Sequence, residues 1–294
     1  MLRRLTCLLV VLLLAAAAGA QQKPATASPV ANTNLPSEDT VSSFLQQMFG
    51  YDSSLTWKVV DIKPSVARGL AEVTVLVSSP QGQQSNKLYV TADGQHAVTG
   101  EIIPFGAHPF AAARTELEKG MNGPSRGPTD APANLVEFSD LQCPHCKEAQ
   151  PTIDKLMSEE KNVRLVFQNY PLPSHDWAAK AAAYADCIGR GSNDAFWSFM
   201  QGTYEAQADI NAANADEKLT GLADKSGAKG TEIAACAAKP ETVARVERSV
   251  ALGKSVDVTG TPTLFINGRK VGSLGNLPYE VLKNLVEFAA KEGK

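Results

Sequence analysis

Leu135-Val136-Glu137-Phe138 runs through Ser139-Asp140-Leu141-Gln142 into Cys143-Pro144-His145-Cys146, and the reading of this stretch decides the fold. The first four residues are an apolar, strand-like run. A helical pattern follows the cysteines, from Lys147 to about Glu160. Two cysteines separated by two residues at a strand-to-helix turn read as a dithiol that cycles with a disulfide. The placement puts Cys143 at a helix N-terminus, where unpaired N–H groups and the macrodipole favour an anion. A thiolate is the anion that such chemistry uses.

Each residue of the short motif then takes a role. Cys143, nearest the helix start, is the candidate nucleophile. Cys146 lies one turn inside, more buried and protonated, and is the candidate resolving thiol. Pro144 lacks an N–H, and its fixed φ suits the first helical position. His145 offers positive charge or a hydrogen bond to the sulfur. A lowered Cys143 pKa would stabilise the reduced form and make the disulfide the stronger oxidant. A zinc site would want a second close Cys/His pair, whereas Cys187 and Cys236 are far apart in helical context. A c-type haem would need His directly after the second cysteine, and that residue is Lys147. No cofactor and no metal is expected.

Downstream, Thr261-Pro262 precedes the apolar strand Thr263-Leu264-Phe265-Ile266. A proline there belongs at the strand start, because it cannot donate to a ladder. X-Pro bonds are the ones that become cis at low cost. A cis bond would set the Thr261 backbone beside the cysteines, ready to pair with an extended substrate chain. Glu137 lies on the strand leading into the site. It is either a buried acid with a raised pKa, able to exchange a proton with Cys146, or an exposed strand carboxylate. Cys187 and Cys236 are expected to form a structural disulfide; two buried thiols or a second redox relay are the competing readings. His175 precedes a helix, where it either reaches the active face or serves the helix start. His96 and His108 read as surface residues.

From Asn134 onward the order is strand (135–139), helix (144–160), strand (163–168), a long helical stretch, strand (262–266), hairpin at Asn267-Gly268, strand (269–272) and helix (278–291). A parallel βαβ unit followed by a hairpin and a final helix is the thioredoxin-type order. The middle is too long for one crossover. Ala178–Ile188, Ala195–Glu205, Ala215–Ser226 and Thr242–Lys254 read as separate helices, an inserted helical subdomain over about 174–256. The catalytic unit is thus 134–294.

Ahead of it, residues 106–133 read as a linker helix (Pro109 to Lys119) and a hinge rich in Gly-Pro turns. Residues 37–105 read as a small α+β domain. Ser37 caps a helix with the apolar stripe Val41, Phe44, Leu45 and Met48. Strands follow over Leu55–Ile62, Leu70–Val77, Lys87–Val90 and His96–Ile103, with Asp93-Gly94 as a hairpin turn. Residues 21–36, rich in Pro, Ala, Thr and Asn, read as a disordered linker. Residues 1–20 carry Arg3 and Arg4, an apolar run to Ala18, and the small-x-small site Ala18-Gly19-Ala20. That is a signal peptide cleaved after Ala20, too short to span a bilayer comfortably. Its removal leaves Cys143, Cys146, Cys187 and Cys236, an even set that agrees with an oxidising, periplasmic or secreted location.

Composition sets the outer limits. With 44% hydrophobic and 20% charged residues over 294 positions, the chain is globular and long enough for two domains. A formal net charge of −3 without a basic cluster speaks against a nucleic-acid partner.

The second domain resembles the DsbA-like branch of the thioredoxin superfamily. The resemblance rests on Glu137 to Cys146, on Asn169-Tyr170-Pro171-Leu172-Pro173, and on Val258-Thr259-Gly260-Thr261-Pro262-Thr263-Leu264-Phe265-Ile266-Asn267-Gly268. It implies an α/β thioredoxin fold with inserted helices, Cys143 as attacking cysteine, cis Pro262, and exported thiol–disulfide exchange on unfolded or partly folded secreted proteins, with a membrane redox partner. Thr261 departs from the oxidase DsbA and is more like isomerases and thioredoxin-4-type members. The first domain, through Lys87 to His96, is similar to the dimerisation domain of DsbC/DsbG-type isomerases, which implies a homodimer. Three functions follow: an oxidant of secreted proteins, a dimeric isomerase or reductase, and, from another class, an exported metal-binding or adaptor module.

Overall fold

A strand that is apolar along its whole length needs cover on both faces, and the arrangement of helices follows from how each face is met. The computed structural model describes residues 35–79, 82–271 and 274–292. The expected signal peptide, and all of the expected linker before Leu35, lie outside these residues.

Helix α1 (Glu38–Phe49) starts at Ser37, whose Oγ accepts from Thr40 N at 3.1 Å, and carries Glu38 and Asp39 in its first turn. Strands β1 (Thr56–Pro64), β2 (Leu70–Ser79), β3 (Gly82–Thr91) and β4 (Ala97–Thr99) form an antiparallel sheet in that order. Val41 and Leu45 of α1 pack on Val73, Val75 and Leu88. β3 begins at Gly82, ahead of the expected Lys87, because its Gln-rich first half is held by pairing with β2 rather than by any apolar alternation. β4 is confined to Ala97–Thr99, shorter than the expected His96–Ile103, and all three of its residues are exposed.

Helix α2 (Ala111–Gly120) leads into β5 (Ser125–Arg126). Within the segment read as a hinge, β5 pairs antiparallel with Leu165 and Val166 and extends the main sheet. Two residues between Gly-Pro turns carry no periodicity from which a strand is legible. Then follow β6 (Ala133–Ser139), α3 (Pro144–Glu159) and β7 (Val163–Asn169). The inserted layer comprises α4 (Ala178–Gly191), α5 (Asn193–Glu205), a 3-10 turn (Gln207–Asp209), α6 (Ala215–Lys225), α7 (Gly230–Ala237) and α8 (Pro240–Ser255). The chain closes with β8 (Thr263–Ile266), β9 (Arg269–Val271) and α9 (Tyr279–Glu292).

The second sheet has the order β5-β7-β6-β8-β9, with β6 and β7 parallel and β8 antiparallel to β6. This is a thioredoxin-like α/β fold with inserted helices. β6 is central, so both its faces are buried. Leu135 faces Ile153 and Leu156 of α3 and Leu282 and Val286 of α9. Val136 and Phe138 face Leu117 of α2, Leu252 of α8 and Phe265. Alternation along a strand therefore turns Glu137 to the side of α3. Sequence reading missed α7, a helix of eight residues, too short for an apolar stripe to repeat, yet it carries Cys236.

Candidate active site

Residues Asp140 to Cys143 turn the chain from β6 into α3. Cys143 is the residue before the helix, with φ −73° and ψ 121°, and Pro144 occupies the first turn. The Cys143 carbonyl accepts from Cys146 N at 3.2 Å and Lys147 N at 3.3 Å. Both cysteines are free thiols. Cys146 is fully covered and Cys143 is only 3% exposed, so both cysteines are recessed, while Pro144 and His145 beside them are exposed.

The two sulfurs are strongly different. A hydrogen bond from the Cys146 thiol, helped by the Thr261 side chain and the Cys146 backbone N–H, lowers the Cys143 pKa to about 6 against the opposing effect of burial. Burial, with the hydrogen bond to Cys143, raises Cys146 well above the ordinary thiol range. One sulfur thus ionises readily while the other holds its proton.

The Thr261-Pro262 peptide is cis. It brings the Thr261 carbonyl to 3.5 Å from Cys143 Sγ, where the thiol donates to it. Thr261 Oγ1 is buried and has no partner among the described residues. Once Cys143 is ionised, this hydroxyl is the donor on that side. The approach to the cis bond is anchored: Tyr170 OH donates to Val258 O at 2.9 Å, and Lys87 and Lys270 hold Asp257 Oδ1 and O at 2.5 and 2.7 Å.

Glu137 is completely buried. Its Oε1 accepts from Gln150 Nε2 at 2.9 Å, and its Oε2 has no partner among the described residues. Burial pushes its pKa to about 7, against hydrogen bonds from Ser139 and Gln150 that favour the charged form. Gln150 Nε2 also lies 3.4 Å from Cys146 O, so one amide links the acid to the Cys146 backbone.

Among the described residues, no hydrogen bond joins His145 to a sulfur. Its Nδ1 lies 3.1 Å from Glu148 Oε2 on the exposed side of the helix. Cys187 and Cys236 are disulfide-bonded with Cα atoms 6.1 Å apart, joining α4 to α7 in the inserted layer. Arg190 Nη2 lies 3.3 and 3.0 Å from the two sulfurs. His96 and His108 are exposed. Among the described residues, no three His, Cys, Asp or Glu side chains gather where a metal would need them, and no helix is long and apolar enough to cross a membrane.

Sequence reasoning missed Asp140, Gln150, Tyr204 and Gln207. Asp140 Oδ1 accepts from Gln142 N at 2.8 Å, an Asx-turn for which an aspartate two residues before a turn amide is the signal. Gln207 Nε2 donates to Leu141 O at 2.8 Å and to Cys143 O at 3.1 Å from the inserted layer. No sequence signal marks that contact.

The geometry has counterparts among known proteins. Disulfide bond formation protein D of Bacillus subtilis is 27% identical over 183 residues, covering 57% of this chain and 77% of that protein. The crystal structure of oxidised BdbD from Bacillus subtilis is similar with a TM-score of 0.52 and 26% identity, over 59% of this chain and 94% of that one. Na(+)/H(+) antiporter NhaA 1 of Salinispora arenicola is 31% identical over 146 residues; the match takes in 49% of this chain but only 22% of the antiporter's length. The family model described as thioredoxin matches residues 119–287, starting in α2 ahead of the expected Asn134. That span is more than half of the chain and contains both sulfurs, the cis proline and the inserted helices, and the chain belongs to the thioredoxin family.

Proposed function

We propose that the protein is an exported thiol–disulfide oxidoreductase that oxidises secreted proteins. The observation that carries this reading is the split between the two thiols, with Cys143 lowered to about 6 and Cys146 raised, under the Thr261-Pro262 turn. A thiolate stable in the reduced form makes the disulfide an oxidant. The relation to disulfide bond formation protein D supports the same direction.

In the reaction, a substrate thiolate attacks Cys143 Sγ of the Cys143–Cys146 disulfide. A mixed disulfide forms and Cys146 leaves as the thiolate, taking up a proton. The second substrate thiolate then attacks the substrate sulfur of that bond. The product disulfide departs and Cys143 is released as the stabilised thiolate. Glu137, buried and close to neutrality, is the proposed proton store for Cys146 through the polar chain at Gln150. The Thr261 backbone before cis Pro262 is the proposed docking edge for an extended substrate. Reoxidation falls to a membrane partner, and cleavage after Ala20 delivers the protein to the periplasm or exterior.

The domain plan proposed with this function is a unit over 37–105, a connector over 106–133 and the catalytic unit from 134 onward. A helix-plus-four-strand unit ahead of the connector helix α2 favours a second reading: a dimeric isomerase paired through that first unit. Sedimentation mass and scrambled-substrate refolding separate the two. For the chemistry itself, Cys143→Ala is expected to abolish exchange, and Cys146→Ala to accumulate mixed disulfides on non-reducing gels. Exchange that survives loss of Cys143 would overturn the proposal.

A further inference from the structure

Asp140 touches both cysteines without belonging to either recognised motif. Its carbonyl accepts from Cys143 N at 3.0 Å, and its N–H lies 3.4 Å from Cys146 Sγ. Its side chain is fully buried. Oδ1 accepts from Gln142 N, and Oδ2 accepts from Leu172 N at 2.8 Å and from His175 Nδ1 at 2.7 Å. Gln142 ties the same two loops: its Oε1 accepts from Trp177 N at 2.8 Å and its Nε2 donates to Asp176 Oδ1 at 2.7 Å. The turn that carries the sulfurs is thus fastened to the loop between β7 and α4.

This anchor poses an electrostatic problem. A carboxylate out of water is costly unless paired. Beside a thiolate it also repels, and Asp140 opposes ionisation of Cys143. The cation paired with Asp140 is His175, whose side chain is about a quarter exposed. Its hydrogen bond to Asp140 is the main cause that raises the His175 pKa, and the charge of Cys143 adds to it. Linkage makes that effect reciprocal: if ionised Cys143 helps His175 hold its proton, protonated His175 helps Cys143 lose one. The other ionisable groups facing the pair are few. Asp176 is engaged by Gln142, Cys146 is held protonated, and Tyr204 of α5 is a buried phenol pushed well above its ordinary range, hence neutral.

We propose that Asp140 and His175 form a positioning pair for the dithiol, in which the imidazolium neutralises the carboxylate that anchors the turn and so permits an anionic sulfur beside it. This inference rests on the thiol–disulfide reading above and gives that centre a positioning element outside the Cys-x-x-Cys and cis-proline motifs. His175→Gln keeps a donor for Asp140 and removes the charge. The test records thiolate absorbance against pH and the equilibrium with glutathione for wild type, His175→Gln, Asp140→Asn and the double variant.

The expected result is an upward shift of the Cys143 midpoint in His175→Gln, a thiolate fraction at pH 6 lower by about two-fold or more, and a less oxidising disulfide. In the Asp140→Asn background the same change should move both readings clearly less, because the carboxylate to be neutralised is gone and only the direct effect of His175 on Cys143 is left. Should Asp140→Asn not fold, His175→Lys decides: restoring a cation is expected to recover the low midpoint. A His175→Gln protein that titrates and equilibrates like wild type, an equal shift in the Asn background, or no recovery with Lys would overturn the pair. A wild-type protein whose thiols titrate like free cysteine and do not exchange with glutathione would instead overturn the thiol–disulfide reading itself.

Discussion

Gln150 donates a hydrogen bond to Glu137 Oε1 at 2.9 Å, while the other oxygen of that carboxyl, Oε2, has no partner among the described residues. Neutral donors are weak compensation for a buried charge. The acid therefore prefers its proton, and the folded protein binds that proton more tightly than the unfolded chain does.

The sign follows from linkage. With a folded pKa of about 7 against an ordinary 4.5, the contribution to stability is greatest below pH 4.5, declines as pH rises through the interval to about 7, and is flat above it. The whole decline is on the order of 3 kcal/mol. Glu137→Gln keeps an acceptor for Gln150 and removes the titration. It is expected to be more stable than wild type at pH 8 and nearly equal at pH 4 in urea unfolding. A difference between the two proteins that does not change with pH would refute the raised pKa.

Thr261→Val removes the hydroxyl that has no other partner and keeps the side-chain shape. A hydrogen bond to a charged sulfur is worth enough to move the Cys143 midpoint up by about one unit. Thiolate absorbance between pH 4 and 9 reads this directly. An unchanged midpoint would leave the Cys146 thiol and N–H as the sole support of the anion.

Replacing Cys187 and Cys236 together by Ala opens a loop closed across 49 residues. Chain-entropy scaling gives a loss of about 4 kcal/mol. The bond lies in the inserted layer, so the glutathione equilibrium of Cys143–Cys146 should stay where it is while the urea midpoint falls. A shifted equilibrium would show that the two disulfides communicate.

Gly253 in α8 sits against an aromatic ring. A Cβ there would come within 2.5 Å of Tyr170 Cε2 and 3.1 Å of Phe138 Cδ1. Gly253→Ala is expected to cost about 1–3 kcal/mol through overpacking. Because Tyr170 also holds Val258 O ahead of the cis proline, exchange with substrate should slow beyond what lost stability explains. Peptide-oxidation kinetics at a temperature where both proteins are fully folded tests this.

The strand, turn and helix around Cys143 were legible because their signals are local: an apolar run, a proline suited to the first helical turn, and a stripe of Ala149, Ile153 and Leu156. The order of the second domain was legible for the same reason. What escaped depends on partners distant in the chain. β5 exists only as an edge for β7, and the first half of β3 only as a partner for β2. The face taken by Glu137 was undecided in sequence, since a single acid among apolar neighbours fits either side; packing of α3 over β6 chose it. His145 was read toward the sulfur, and Glu148 one turn on offers its ring a partner at 3.1 Å that the sequence reading did not weigh. Asp140 and His175 stand 35 positions apart, and no periodicity joins them.

Gln207 gives the helical layer a direct stake in the chemistry. Its amide reaches across to the carbonyls of Leu141 and Cys143, so the bend bearing Cys143 is gripped from outside the sheet-and-helix unit. A trimmed protein, reduced to the five strands with α3 and α9, would retain every atom of the sulfur pair and still lose the clamp that fixes its orientation. Engineering of a smaller oxidant from this chain would have to rebuild that grip before shortening anything else.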